Sequence, residues 1–174
     1  MKKYFLWLSL LFVSACSTVT VEDYASNKPL MVVEDYFNGA LTAHGIVKNR
    51  SGKVIRYFNA TIDASWDNGV GILDETFVFN DGEKQNRIWT LMRKPLGGYI
   101  ATANDVIGQA QLNMSGNSVF LEYVLRIPYG DNTLDLTIDD RMYLVSDKIL
   151  INESMMMKWG IEVGQLMLVI IKSN

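Results

Sequence analysis

The chain has 174 residues, enough for one domain and tight for two, and its 49% hydrophobic content can fill a core, which excludes a disordered chain. The formal charge of −3, from 16 scattered basic and 19 acidic residues, opposes phosphate and excludes a nucleic-acid partner. A single cysteine rules out an internal disulfide, and a single histidine removes most metal sites and every Ser/His or Cys/His pair not built on His44, so no metal or cofactor is implied.

The chain opens with Lys2 and Lys3, runs through the apolar stretch Tyr4 to Val13, and reaches Ser14-Ala15-Cys16. A basic start, an apolar run and small residues before a cut site make a secretory signal. Its apolar run of about ten residues rises about 15 Å as a helix, half of a hydrocarbon core, so it does not span a bilayer. Val13-Ser14-Ala15-Cys16 resembles the bacterial lipobox, which implies acylation of Cys16, cleavage before it and a second acylation on its nitrogen. Several acyl chains at about 0.8 kcal/mol per buried methylene anchor a protein where one chain holds only marginally. Ser17 follows, and similarity to enterobacterial lipoproteins implies the outer membrane, with the protein facing the periplasm. Loss of Lys2 and Lys3 leaves 14 basic against 19 acidic residues in the mature chain. The expected organisation is a signal peptide over 1–15, a lipidated tether over 16–29 and one domain over 30–174.

Residues Ser17 to Pro29 are polar and lack periodicity, as a tether should. Val33 to Asn38 could make one short helical turn. Beyond it the chain alternates with period two, and turn residues recur roughly every 8 to 12 positions, the mark of an antiparallel sandwich or barrel. Val54, Phe58, Ala60, Ile62, Ala64 and Trp66 share one face of a strand with Arg56, whereas Lys53, Asn59, Thr61, Asp63 and Ser65 share the other. Asp67-Asn68-Gly69 and Asp81-Gly82 supply hairpin turns. Further strands are predicted over Leu41–Lys48, Val70–Asn80, Asn86–Lys94, Tyr99–Asn104, Val106–Met114, Ser118–Pro128, Leu134–Val145, Ile149–Lys158 and Val163–Lys172. So long a meander buries its edges best by closing, which predicts a single antiparallel meander β-barrel of about 8–10 strands. A bilayer-spanning barrel is excluded by the charges on the second faces, Lys53, Asp63, Glu122, Arg126, Asp135 and Asp139 among them.

Gly45 to Gly52, Leu73-Asp74-Glu75-Thr76-Phe77, Arg87-Ile88-Trp89-Thr90-Leu91, Asp139 to Leu144 and Lys158-Trp159-Gly160-Ile161 together resemble an uncharacterised proteobacterial lipoprotein family, a domain of unknown function. That resemblance covers roughly residues 30–172 and implies a lipocalin-like barrel in the envelope; it implies no activity. Arg141 stands where the family pattern leads us to expect an aromatic residue, and the alternation turns it outward.

Two charges fall on apolar faces, Arg56 and Asp140. They are either a structural pair, or two rim residues, or the polar anchor of an acidic or amphipathic ligand in an apolar cup. Arg87 and Trp89 share a face with Leu91 and could hold a ligand or merely stack. With Tyr143 these make the candidate binding set, and no catalytic residue is assigned. Asp74-Glu75 and Asp139-Asp140 point to opposite faces, so neither is an acid/base pair within its strand. Met155 to Met157 and Leu166 to Ile171 are apolar on both faces, so their outer side expects a cover, Leu30–Phe37, a partner or a membrane. The expected function is a membrane-anchored lipoprotein whose barrel takes a hydrophobic or lipid-like small molecule. The alternatives are an envelope enzyme acting on a lipid through carboxylates gathered from several strands, and a structural lipoprotein with a filled barrel. A void of about 300 Å³ separates a whole-ligand site from a filled interior.

Overall fold

The computed structural model describes residues 18–173, so the signal segment and the acylation site expected at Cys16 lie outside the described residues. Eleven strands follow one another: β1 (Gly39–Asn49), β2 (Val54–Asp67), β3 (Val70–Phe79), β4 (Lys84–Arg93), β5 (Tyr99–Ala103), β6 (Val106–Ile107), β7 (Ala110–Ser115), β8 (Ser118–Tyr129), β9 (Asn132–Ser146), β10 (Ile149–Lys158) and β11 (Ile161–Lys172). Alternation decides their faces. In β2, Phe58, Ala60, Ile62 and Ala64 are buried while Asn59, Thr61, Asp63 and Ser65 are exposed.

Each strand pairs antiparallel with its neighbours, and β1 closes on β11 from Leu41 opposite Lys172 to Asn49 opposite Gly164. The result is the closed meander barrel that the alternation predicts, with ten strands around the wall and β6 as a short addition along β8. The expected strand Val106–Met114 is broken into β6 and β7 because Gly108, at φ +76°, turns the backbone out of the ladder. Gly45 serves a different need: the Phe58 ring lies where its Cβ would stand, so the barrel wall draws close to the aromatic interior there.

One end of the barrel is plugged. The short helix α1 (Val33–Tyr36) and Phe37 fill it, with Val33, Tyr36 and Phe37 all buried. Trp66 Nε1 donates to the Phe37 carbonyl at 2.6 Å, the Tyr36 hydroxyl donates to the Ile170 carbonyl at 2.8 Å, and Glu34 takes the Tyr99 hydroxyl at 2.9 Å and Arg93 at 3.1 Å. Four strands thus hold the plug. The sequence allowed this segment to cover the outer face of β10 and β11; instead its apolar side chains seal the barrel end, and Met155, Met167 and Ile171 stay exposed on the wall. The expected tether is also docked from Val21 onward. A 3-10 turn, Val21–Tyr24, packs on the outer wall, where Tyr24 meets the rings of Phe120 and Tyr143 at 5.6 and 5.3 Å.

Candidate functional site

The barrel encloses a cavity of about 150 Å³. Its wall is mainly apolar, with Trp89, Leu121, Ile138, Met142 and Met156 among its lining and Phe37 of the plug facing it. Set into that wall are six polar side chains: Glu75 from β3, Arg87 from β4, Tyr123 from β8, Asp140 from β9, and Asn152 and Ser154 from β10. Each occupies an inward position of its strand, so period-two geometry alone turns them to the interior.

One of the three charges in the wall is already answered. Arg87 Nε and Nη2 donate to the two Asp105 oxygens at 2.8 to 3.0 Å, the planar fork meeting a carboxylate from the turn after β5. Burial opposes the Arg87 charge, but the Asp105 hydrogen bonds together with the nearby negative charges of Glu75 and Asp105 hold the guanidinium firmly protonated. The other two are not. Asp140 accepts Asn152 Nδ2 at 2.5 Å and Ser154 Oγ at 2.7 Å, both on Oδ1, which leaves Oδ2 free among the described residues. Burial raises its pKa, and those two hydrogen bonds act the other way. Glu75 stands opposite Arg87 in the ladder, yet no hydrogen bond to its carboxyl is made among the described residues. Burial pushes Glu75 up to about 7; Arg87 opposes the rise, and Asp140, Asp105 and Asp74 add to it. The Tyr123 hydroxyl, on a side chain 9% exposed, likewise has no partner among the described residues, and burial raises it well above the ordinary tyrosine value.

The expected site residues separate into two groups. Arg87, Trp89 and Asp140 line the cavity. The Arg87 guanidinium lies 6.0 Å from the Trp89 ring centre, the outer limit of a stacking contact, and Trp89 packs edge-on against Tyr123 at 5.3 Å. Arg56 and Tyr143 lie elsewhere. Arg56 sits level with Val47 at the end of the barrel away from the plug, where it reaches Asp81 at 3.1 Å and Glu83 at 2.8 Å and lies 3.6 Å over the Phe79 ring. The Arg56–Asp140 pair is therefore not formed: the β3–β4 turn supplies closer acids than the deeper Asp140 on β9. Tyr143 is on the outer wall, where its hydroxyl donates to Glu153 at 3.1 Å and its ring seats Tyr24. Arg141 faces outward as the alternation requires and pairs with Asp139 at 2.8 Å. His44 is also outside, 2.6 Å from the Asn59 side chain.

Sequence reasoning missed Glu75, Tyr123, Asn152 and Ser154. The signal was present, since Glu75 alternates in step with Leu73 and Phe77, and Asn152 and Ser154 with Leu150 and Met156. Among the described residues no group of three or more His, Cys, Asp or Glu side chains is placed to hold a metal ion.

The sequence over residues 10–172 matches the family described as Protein of unknown function (DUF3833). No curated protein matches the chain. The solved structures that share the fold include two at 13% identity. One is a protein of unknown function from the DUF3598 family of Nostoc punctiforme, with a TM-score of 0.57 over 84% of this chain and 51% of that one. This chain therefore spans about half the length of that protein. The other is the S-type phycobiliprotein lyase of Guillardia theta, with a TM-score of 0.52 over 83% of this chain and 94% of that one. At such identity the likeness is one of fold alone.

Proposed function

The chain belongs to the DUF3833 family of proteins of unknown function, so its role must be argued from its own cavity, and we propose that it is an envelope lipoprotein, acylated at Cys16, whose barrel binds a small hydrophobic molecule. The observation that carries the reading is the unfilled interior itself. Half-buried Glu75 and buried Tyr123 present to it polar groups that have no hydrogen-bond partner among the described residues, which a ligand would satisfy. A filled structural barrel would instead close on those groups. The phycobiliprotein lyase shares the barrel architecture, which supports a binding role for such an interior, though no substrate passes from it to this chain.

The cavity also limits the ligand. About 150 Å³ is below the roughly 300 Å³ of sites that bury a whole drug-sized molecule. It is the volume at which an apolar protein cavity holds a benzene-sized group. The barrel therefore takes a ring or a short alkyl segment. The enzyme alternative has Glu75 and Asp140 lining one cavity from distant strands, with the Ser154 hydroxyl donating to Asp140, but no histidine or lysine in that lining to activate it.

Native mass spectrometry of the full-length protein, extracted in detergent, tests both parts. A mass addition for the acyl chains on the mature chain and a separate small ligand are expected. An unmodified Cys16 thiol, or a protein that neither carries nor takes up any small apolar compound, overturns the corresponding half. Cys16→Ser should abolish acylation and leave the precursor uncut.

A further inference from the structure

The polar groups in the wall carry more acid than base, and that imbalance bears on what the cavity recognises. Resting on the binding role proposed above, we infer that the barrel selects a small apolar amine, its ammonium group lodged between Glu75, Asp140 and the Tyr123 hydroxyl and its apolar body against Trp89 and Leu121.

The argument runs from which charges remain available. Among the described residues Arg87 is the one cation lining the cavity, and Asp105 occupies it through two nitrogens at 2.8 to 3.0 Å. An acidic ligand would have to displace Asp105 and would meet Glu75 and Asp140 on arrival. An ammonium meets the opposite situation. It brings three donors, and the wall presents the Glu75 carboxylate, the free Asp140 Oδ2 and the Tyr123 oxygen as acceptors without donors among the described residues. The aromatic residues Trp89, Phe77 and Tyr123 line the same space, and aromatic rings can favour a cation. The charged and titratable groups around Glu75 are Arg87 on β4, Asp105 after β5, Tyr123 on β8, Asp140 on β9 and its neighbour Asp74, so the carboxylates prevail. A phosphate next to the ammonium would set an anion against these carboxylates, which argues against a phosphoethanolamine headgroup.

Proton release supplies an independent readout. Glu75, held near 7 by burial, is largely protonated at pH 6 and must ionise to meet the ammonium; the proton passes to the buffer.

The test uses the full-length protein in phosphatidylcholine nanodiscs, with empty nanodiscs as the blank, titrated calorimetrically with benzylamine, benzyl alcohol, benzoate and O-phosphoethanolamine. Benzylamine should bind about tenfold or more tighter than benzyl alcohol, as expected of a charge-assisted hydrogen bond. Benzoate and O-phosphoethanolamine should not compete. At pH 6, titrations in two buffers of different ionisation enthalpy should show release of a proton on amine binding. Glu75→Gln and Asp140→Asn should each shrink the benzylamine-to-benzyl-alcohol affinity ratio. Benzyl alcohol binding as well as benzylamine, competition by benzoate or O-phosphoethanolamine, or an unchanged ratio in both variants overturns the amine assignment and leaves the binding role standing. If none of the four ligands binds, the binding role itself fails.

Discussion

Glu75 and Arg87 stand directly opposite each other on β3 and β4, both turned inward, yet among the described residues the hydrogen bonds of the guanidinium go to Asp105. Asp105 presents both oxygens to the fork of the guanidinium, which leaves the Glu75 carboxyl outside that pair. The consequence is a carboxyl inside an apolar barrel beside a counter-charge, Arg87, that makes no hydrogen bond to it.

That carboxyl makes stability depend on pH. The folded chain holds the Glu75 proton until about 7, against 4.5 for the ordinary side chain. Between those values the unfolded chain has released the proton and the folded chain has not, so the stability Glu75 contributes is present below 4.5 and lost as pH rises through 7. The loss is at most about 3 kcal/mol. Denaturant melts from pH 4 to 8 should show wild type falling relative to Glu75→Gln across that window. Parallel curves for the two proteins would show that Glu75 titrates as an exposed acid does.

Breaking the Arg87–Asp105 pair should be costly. Arg87→Leu strands Asp105 and removes the counter-charge of Glu75. A fully buried pair costs about 3–5 kcal/mol when one partner is lost, and the 27% exposure of Asp105 lowers that to about 2–3 kcal/mol. Adding Asp105→Asn should recover most of the loss, and a double-mutant cycle by denaturant melts measures it. Additive losses would mean that the two side chains do not support each other.

Arg56 and Asp140 should behave independently. Arg56 belongs to a half-exposed cluster with Asp81 and Glu83, and such ion pairs contribute about 0–1 kcal/mol. Arg56→Leu should therefore cost less than about 1 kcal/mol, and its effect should add to that of Asp140→Ala within about 0.5 kcal/mol. A strongly non-additive cycle would mean that Arg56 and Asp140 interact despite the pairing of Arg56 with Asp81 and Glu83.

Gly116 anchors the N-terminal segment. It sits at φ +56°, its carbonyl accepts the Met31 N–H at 2.9 Å, and a Cβ there would run into the Tyr24 backbone. Gly116→Ala should lose about 1–3 kcal/mol through left-handed strain and the displaced turn. Chymotrypsin should then cut faster at Tyr24, and an unchanged cleavage rate would count against the docking.

The period-two alternation of Val54 to Trp66 and its successors is a local property of the chain, and it determined strand positions, their inner and outer faces, and with the hairpin turns the closed meander. It turned Asp140, Arg87 and Trp89 inward and Arg141 outward. The acylation expected at Cys16 also rests on sequence alone, since that residue lies outside the described chain. Alternation says nothing of height along the barrel axis. Height follows from the tilt and shear of the closed sheet, which only long-range pairing sets. That shear put Arg56 at the end away from the plug beside Asp81, carried Asp140 deep enough to face Glu75, and gave Arg87 to Asp105 from a turn no periodicity marks. The plug was decided the same way: Val33 and Phe37 are apolar in any reading, but only a closed barrel offers them an end to fill.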